Sequence, residues 1–204
     1  MKSKKFLSIS MLTKISILSA LAFVVMSFEF PLPIAPPFYK LDFSEVIVLI
    51  GGFALGPLAA ILIESLKILL NILFTGTQTN FVGEIANLVI GLSFVLPAVW
   101  IYQRHKTFKT AIIGMVVGTI TLTVIGSAMN YFILLPAYSF FYKLPLDVIV
   151  SMGAAINPTI NSTLTFVILA TAPFNLIKGI LSSVIVTLVY KRVSPILKEK
   201  TGSE

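Results

Sequence analysis

The sequence predicts an all-α integral membrane protein: six transmembrane helices, with a short tilted second helix and a lid-like first extracellular loop. Three observations carry that prediction. Of 204 residues, 57% are hydrophobic and only 11% charged, with a mean hydropathy of +1.00, whereas a soluble surface needs roughly a quarter to a third charged residues. Apolar stretches of roughly 17–25 residues, the length that crosses a hydrocarbon core of about 30 Å, recur between polar breaks. Lys and Arg concentrate in alternate connections. The same composition, with no cysteine, excludes a disordered, collagenous or disulfide-built chain, a thiolate metal site and a cysteine nucleophile.

A single membrane domain over 1–204 accommodates these stretches. The first helix covers about 11–30 and stops at 31-PLPIAPP-37, which cannot continue a helix. A second, over about 43–55, is too short to span upright unless tilted or shielded. Pro57 suits the first turn of a third helix, about 57–74, so the connection between the two is very tight. A fourth fits 81–102, followed by 103-QRHKTFK-109, and a fifth fits 110–135, ended by Pro136. Residues 137–157 read as a loop with a short interfacial helix over 146–155. The last helix covers about 158–190, with a kink at Pro173.

Charge sets the orientation. Lys2, Lys4, Lys5 and Lys14, then Arg104, Lys106 and Lys109, then Lys191, Arg192, Lys198 and Lys200 share one side; only Lys40 and Lys143 fall in loops of the other. Both termini are therefore expected in the cytoplasm of a multi-pass cell-membrane protein. The formal charge of +7 then marks a face of the lipid bilayer carrying anionic headgroups and implies no nucleic acid. A secretory signal ending near 19-SALA-22 is the competing reading of the start; it would leave an odd number of spans, against the charge distribution.

Charged groups inside spans cost at least about 2.5–3.5 kcal/mol each, so each needs a partner, a water cavity or a function. Glu64, Lys67 and Asn71 lie at i, i+3, i+7 on one face of the third helix, where Glu64 and Lys67 can pair. Glu84, Asn87 and Gly91 repeat that spacing on the fourth, to pack against the third or to reach a ligand. Asn175 and Lys178 share a face after Pro173 with no acid nearby in sequence, and Asn130 with Tyr131 could add polar groups from the fifth helix. A cavity shared by Asn130, Asn175 and Lys178 is one reading; amides bonded only to neighbouring carbonyls is the other. The loop 31-PLPIAPPFYKLDFSE-45 is apolar enough to be a lid or an aromatic anchor at the membrane surface.

No catalytic or metal-binding residues emerge. His105 stands in a basic loop, 51-GGFALG-56 lacks a P-loop lysine, and no nucleophile motif or carboxylate–histidine pair appears.

The strings 40-KLDFSEVIVLIGGFALGPLAAILIESLKILLNILF-74 and 82-VGEIANLVIGLSF-94 resemble the riboflavin-specific substrate-binding components (the RibU family) of energy-coupling factor (ECF) transporters, over nearly the whole chain. That resemblance implies a six-helix subunit, not itself an enzyme and without a cofactor, that captures riboflavin as transported substrate from the extracellular side. It implies partners: a transmembrane coupling protein (EcfT-type) and two cytoplasmic ATPases (EcfA-type) that hydrolyse ATP. It makes Phe38, Tyr39, Lys40 and Leu41 of the first loop, with Asn130, Asn175 and Lys178, substrate-contact candidates. Family members dock the coupling protein through an alanine-x-x-x-alanine pattern on the first helix; Ser16 and Ala20 are the nearest match here, with Ala22 close by, and serine is small enough for close helix approach. The alternatives are a subunit for another vitamin, a gradient-driven secondary transporter using Glu64 or Glu84, for which no inverted repeat is visible, or a small membrane enzyme acting on a lipid.

Overall fold

The computed structural model describes residues 8–77 and 79–198. Lys2, Lys4, Lys5 and Lys200 of the basic ends lie outside them, as do the side chains of Lys191 and Lys198. Seven helices are present among the described residues: α1 (Ile9–Met26), α2 (Ser44–Leu55), α3 (Pro57–Thr75), α4 (Val82–His105), α5 (Phe108–Tyr142), α6 (Leu146–Ala154) and α7, which starts at Thr163 and runs to Lys198. Five of them are long and apolar enough to cross a membrane, and α2 is a shorter apolar helix. Large apolar side chains such as Leu73, Phe74, Trp100, Phe132 and Leu188 project outward, a surface suited to acyl chains and not to water.

Gly56, at φ 96°, and Pro57 at the first helical position reverse the chain between α2 and α3 with no intervening loop; only glycine takes that φ without strain. The core of the bundle gathers Val48, Leu49, Phe53, Ile63, Phe94, Val99 and Tyr102 with Ile15 of α1 and Leu122 of α5. Helices α4 and α5 meet at backbone distance: a Cβ on Gly118 would lie 2.3 Å from the Phe94 carbonyl oxygen. At one end of the bundle Tyr102 and Tyr190 hydroxyls are 3.2 Å apart, and Gln103 donates to the carbonyls of Gly52 and Phe53 at the foot of α2.

Several boundaries differ from the sequence reading: α4 runs to His105 instead of 102 and α7 to Lys198 instead of 190, and three further differences have a plain cause. Helix α1 stops at Met26 instead of residue 30, because Phe30–Pro31 pairs antiparallel with Lys40–Leu41, forming a two-stranded ribbon, β1 and β2. Helix α5 does not stop at 135. It passes Pro136 by opening into a π-helical stretch, Asn130–Leu134, in which the Leu135 N–H reaches back to the Asn130 carbonyl. Proline removes one N–H from the ladder, and the wider turn re-pairs the carbonyls ahead of it. Pro173 has the same effect in α7, where Val167–Thr171 is π-helical and the Ala172 N–H bonds the Val167 carbonyl. Helix α7 starts at Thr163, five residues later than 158, where Ser162 and Thr165 form a capping box.

The 31–43 segment folds over the ends of α5, α6 and α7. Ala35, Tyr39 and Leu41 pack with Leu135, Ile149, Ile160, Phe166, Val167 and Phe174 in a second apolar cluster. Gly118→Ala should therefore push α4 from α5 and lower stability by about 1–3 kcal/mol, read as a reduced melting temperature of the purified protein in detergent.

Candidate functional site

Beneath the lid lies a layer of buried polar groups that no single helix supplies. Helix α7 contributes Thr171, Asn175, Lys178 and Ser182, all buried, at i, i+4, i+7 and i+11 and hence on one stripe. Helix α5 contributes Asn130, and α5 admits Asn175 because Gly126 has no side chain: a Cβ there would lie 2.5 Å from Nδ2 of Asn175.

Lys178, which has no acid nearby in sequence, finds one in space. Its Nζ is 3.0 Å from Oδ2 of Asp42, across 136 residues of chain. Oδ1 of Asp42 accepts the Ser44 N–H at 2.8 Å and the Ser44 hydroxyl, so this carboxylate also sits at the N-terminus of α2, where the helix dipole favours negative charge. Burial alone would push the Asp42 carboxyl up; Lys178, Lys67 and the Ser44 hydrogen bonds outweigh it and hold the carboxyl well below the usual carboxylate range.

Lys67 forms the other half of the layer. The expected pair with Glu64 is present at 2.8 Å. Its second carboxylate partner is Glu45 of α2, at 3.0 Å, and Nζ also donates to the Ser44 hydroxyl at 3.1 Å. Lys67 and Glu64 are wholly buried. Gly91 closes this cluster from α4, since a Cβ there would lie 2.4 Å from Oε1 of Glu64. Asn71 points elsewhere, to the Met26 sulfur at 3.6 Å. Glu84 accepts from the Thr79 hydroxyl at the lid end.

The lid is fastened to both proline-linked π stretches. Tyr39 donates to Oδ1 of Asn130 at 2.6 Å, and its hydroxyl lies 2.7 Å from that of Thr171. Its ring stacks on Phe174, centroids 5.2 Å apart and 22° between planes. Burial pushes the Tyr39 phenol up from its ordinary value, so it is a neutral O–H. Phe38 stacks on Phe166, and Leu41 is buried.

Lys40 turns outward to Glu29 at 2.5 Å, both partly exposed, a screened pair of small energetic weight. Asn130 also donates to the Gly126 carbonyl at 2.8 Å, so this amide is bonded to a neighbouring carbonyl and to the lid tyrosine at once. Tyr131 is exposed, away from the layer. Nδ2 of Asn175 is buried without a hydrogen-bond partner among the described residues, as are Oε2 of Glu45 and Oε2 of Glu64.

Sequence reasoning missed Asp42, Glu45, Thr171 and Ser182 as members of this layer. The stripe of α7 could have been found by continuing the Asn175–Lys178 spacing in both directions. Elsewhere, an outward groove of about 430 Å³ between α5 and α7, lined mostly by apolar residues such as Met115, Leu176 and Ile180, contains none of these groups.

Ser16 and Ala20 stand on the exposed face of α1, and Ala22 is buried against the bundle.

Residues 10–190 match the family model for the ECF transporter substrate-specific component. The chain belongs to that family. It is 38% identical over 187 residues to the riboflavin transporter RibU of Staphylococcus aureus (strain TCH60), covering 92% of each chain. It is 32% identical over 204 residues to the riboflavin transporter FmnP of Bacillus subtilis (strain 168), covering 100% of this chain and 98% of that one. A solved structure of the S component of a bacterial ECF transporter superposes with a TM-score of 0.72 at 38% identity, over 93% of this chain and 98% of its own.

Lys67→Met should be the costliest single change in the layer, about 3–5 kcal/mol, because it leaves two carboxylates buried without their cation. Adding Glu45→Gln and Glu64→Gln to it should restore part of the melting temperature.

Proposed function

We propose that this chain is the high-affinity riboflavin-binding membrane subunit of an ATP-driven vitamin importer. The observation that carries the reading is the buried amide donor of Asn175, without a partner yet set between Thr171 and Lys178 on the stripe the lid covers. A stranded donor costs roughly 1–3 kcal/mol, and a substrate acceptor there would recover it. The chemistry suits an isoalloxazine: Phe38, Tyr39, Leu41, Phe166 and Phe174 offer apolar and aromatic surface, and the uracil-like edge needs both donors and acceptors. Asn130 and Asn175 can each supply both, whereas Lys178 only donates. The names of the two relatives, both riboflavin transporters, support the same substrate.

Phe38, Tyr39 and Leu41 form the lid side of the site; Asn130, Asn175 and Lys178 form its floor. Lys40 stands at the rim of the site, turned outward to Glu29. The basic residues of the 103–109 connection and of both ends of the chain support a topology with the termini in the cytoplasm and the lid outside. Substrate therefore enters from the extracellular side. Ser16 and Ala20 present a shallow strip on α1 for a transmembrane coupling protein, and two cytoplasmic ATPases bound to that protein supply the energy.

Purified protein should quench riboflavin fluorescence, and protein from a riboflavin-fed host should carry flavin absorbance; colourless protein that leaves added riboflavin fully fluorescent would overturn the assignment. Asn175→Ala and Lys178→Ala should each weaken binding by about 1–3 kcal/mol, measured by titration; unchanged affinity in both would remove this floor from the site. Ligand mass spectrometry of the purified protein separates riboflavin from any other vitamin.

A further inference from the structure

Tyr39 occupies the place that a substrate edge would need. Its ring lies flat on Phe174, and its hydroxyl bridges Oδ1 of Asn130 and the hydroxyl of Thr171 at 2.6 and 2.7 Å. The amide nitrogen of Asn130 is held by the Gly126 carbonyl, which orients the amide and leaves Oδ1 as the acceptor aimed at the lid. Thr171 is wholly buried and can donate or accept. A neutral phenol serves both neighbours at once, donating to Asn130 and accepting from Thr171. An imide edge, with its N–H beside a carbonyl, offers the same donor and acceptor on a flat ring.

We propose that the Tyr39 side chain is an internal stand-in for the substrate. The incoming ring displaces the phenol from Phe174, and Thr171 becomes a substrate-recognition residue paired with Asn130. This rests on the riboflavin reading for its probe. It differs from an ordinary lid contact in its sign: a group that competes with substrate slows capture, because only the fraction of protein with the phenol withdrawn can bind.

The experiment is stopped-flow quenching of riboflavin fluorescence by the full chain in lipid nanodiscs, comparing wild type, Tyr39→Phe and Thr171→Val, with melting temperatures as the check on folding. Tyr39→Phe keeps the ring and removes both hydrogen bonds, so association should accelerate about fivefold or more, on the scale of one to two net hydrogen bonds, with dissociation unchanged because the retained ring keeps its apolar contact on the lid side. Thr171→Val should accelerate association and dissociation together, since it loses one bond to the phenol and one to the substrate. Unchanged or slower association in Tyr39→Phe overturns the stand-in, and faster dissociation there makes the phenol a substrate contact instead. Unchanged dissociation in Thr171→Val removes Thr171 from recognition.

Wild type without any riboflavin signal would sink the proposed substrate and leave the lid question open to a second readout. Spin labels at exposed Ile34 and Phe140 report the lid without ligand. Their distance distribution should broaden in Tyr39→Phe; an unchanged narrow distribution overturns the stand-in whatever the substrate is.

Discussion

Five ionisable side chains, Asp42, Glu45, Glu64, Lys67 and Lys178, share one buried layer, and most of what this chain does is constrained by keeping them paired. In hydrocarbon an isolated charge costs several kcal/mol, so the helices that carry them cannot separate or slide freely. Lys67 joins α3 to α2 through Glu45, and Lys178 joins α7 to the end of the lid segment through Asp42. Ser44 touches both halves, donating to Asp42 and accepting from Lys67. A short second helix that cannot span the membrane by itself is thereby fixed at its head, and the segment leading into it carries the lid.

The lid in turn depends on two prolines. Pro136 and Pro173 each sit two residues beyond a π-helical stretch, and the widened turns hold Asn130 and Thr171 where one phenol can bond both. Prolines interrupt the ladder where neighbouring helices shield the freed groups, which is why such breaks survive at membrane depth and concentrate at sites of function.

Legibility in the sequence followed the range of the interaction. The fold class was readable because apolar length and basic loops are local properties. Glu64 with Lys67, and Asn175 with Lys178, were readable because a helix places i and i+3 on one face. Asp42 was not readable as the partner of Lys178, since nothing local links a loop carboxylate to a lysine on the last helix. Glu45 escaped for a similar reason: in the first turn of α2 it looks like a residue favoured by the helix dipole. The rule that proline ends a helix misplaced the end of α5, because it assumes water competes for the freed carbonyl. Thr171 was hidden by its chemistry, as threonine in an apolar helix commonly bonds its own backbone.

The two halves of the polar layer differ in how they are closed, and on the proposed reading they differ in role. Around Lys67 every element is a helix: Glu45 and Glu64 flank it from α2 and α3, Gly91 brings the α4 backbone against the carboxylates, and no residue of the 31–43 segment enters. Around Lys178 the closure is borrowed from a loop. Asp42 and Tyr39 belong to the segment between α1 and α2, so the ion pair and the phenol bridge leave together if that segment lifts. An element that exposes one buried cation and two amides on opening, while a second ionic cluster keeps the helices in register, is what reversible capture demands. On the proposed reading the half around Lys67 preserves the bundle while the half around Lys178 exchanges the contacts of the loop for those of the cargo.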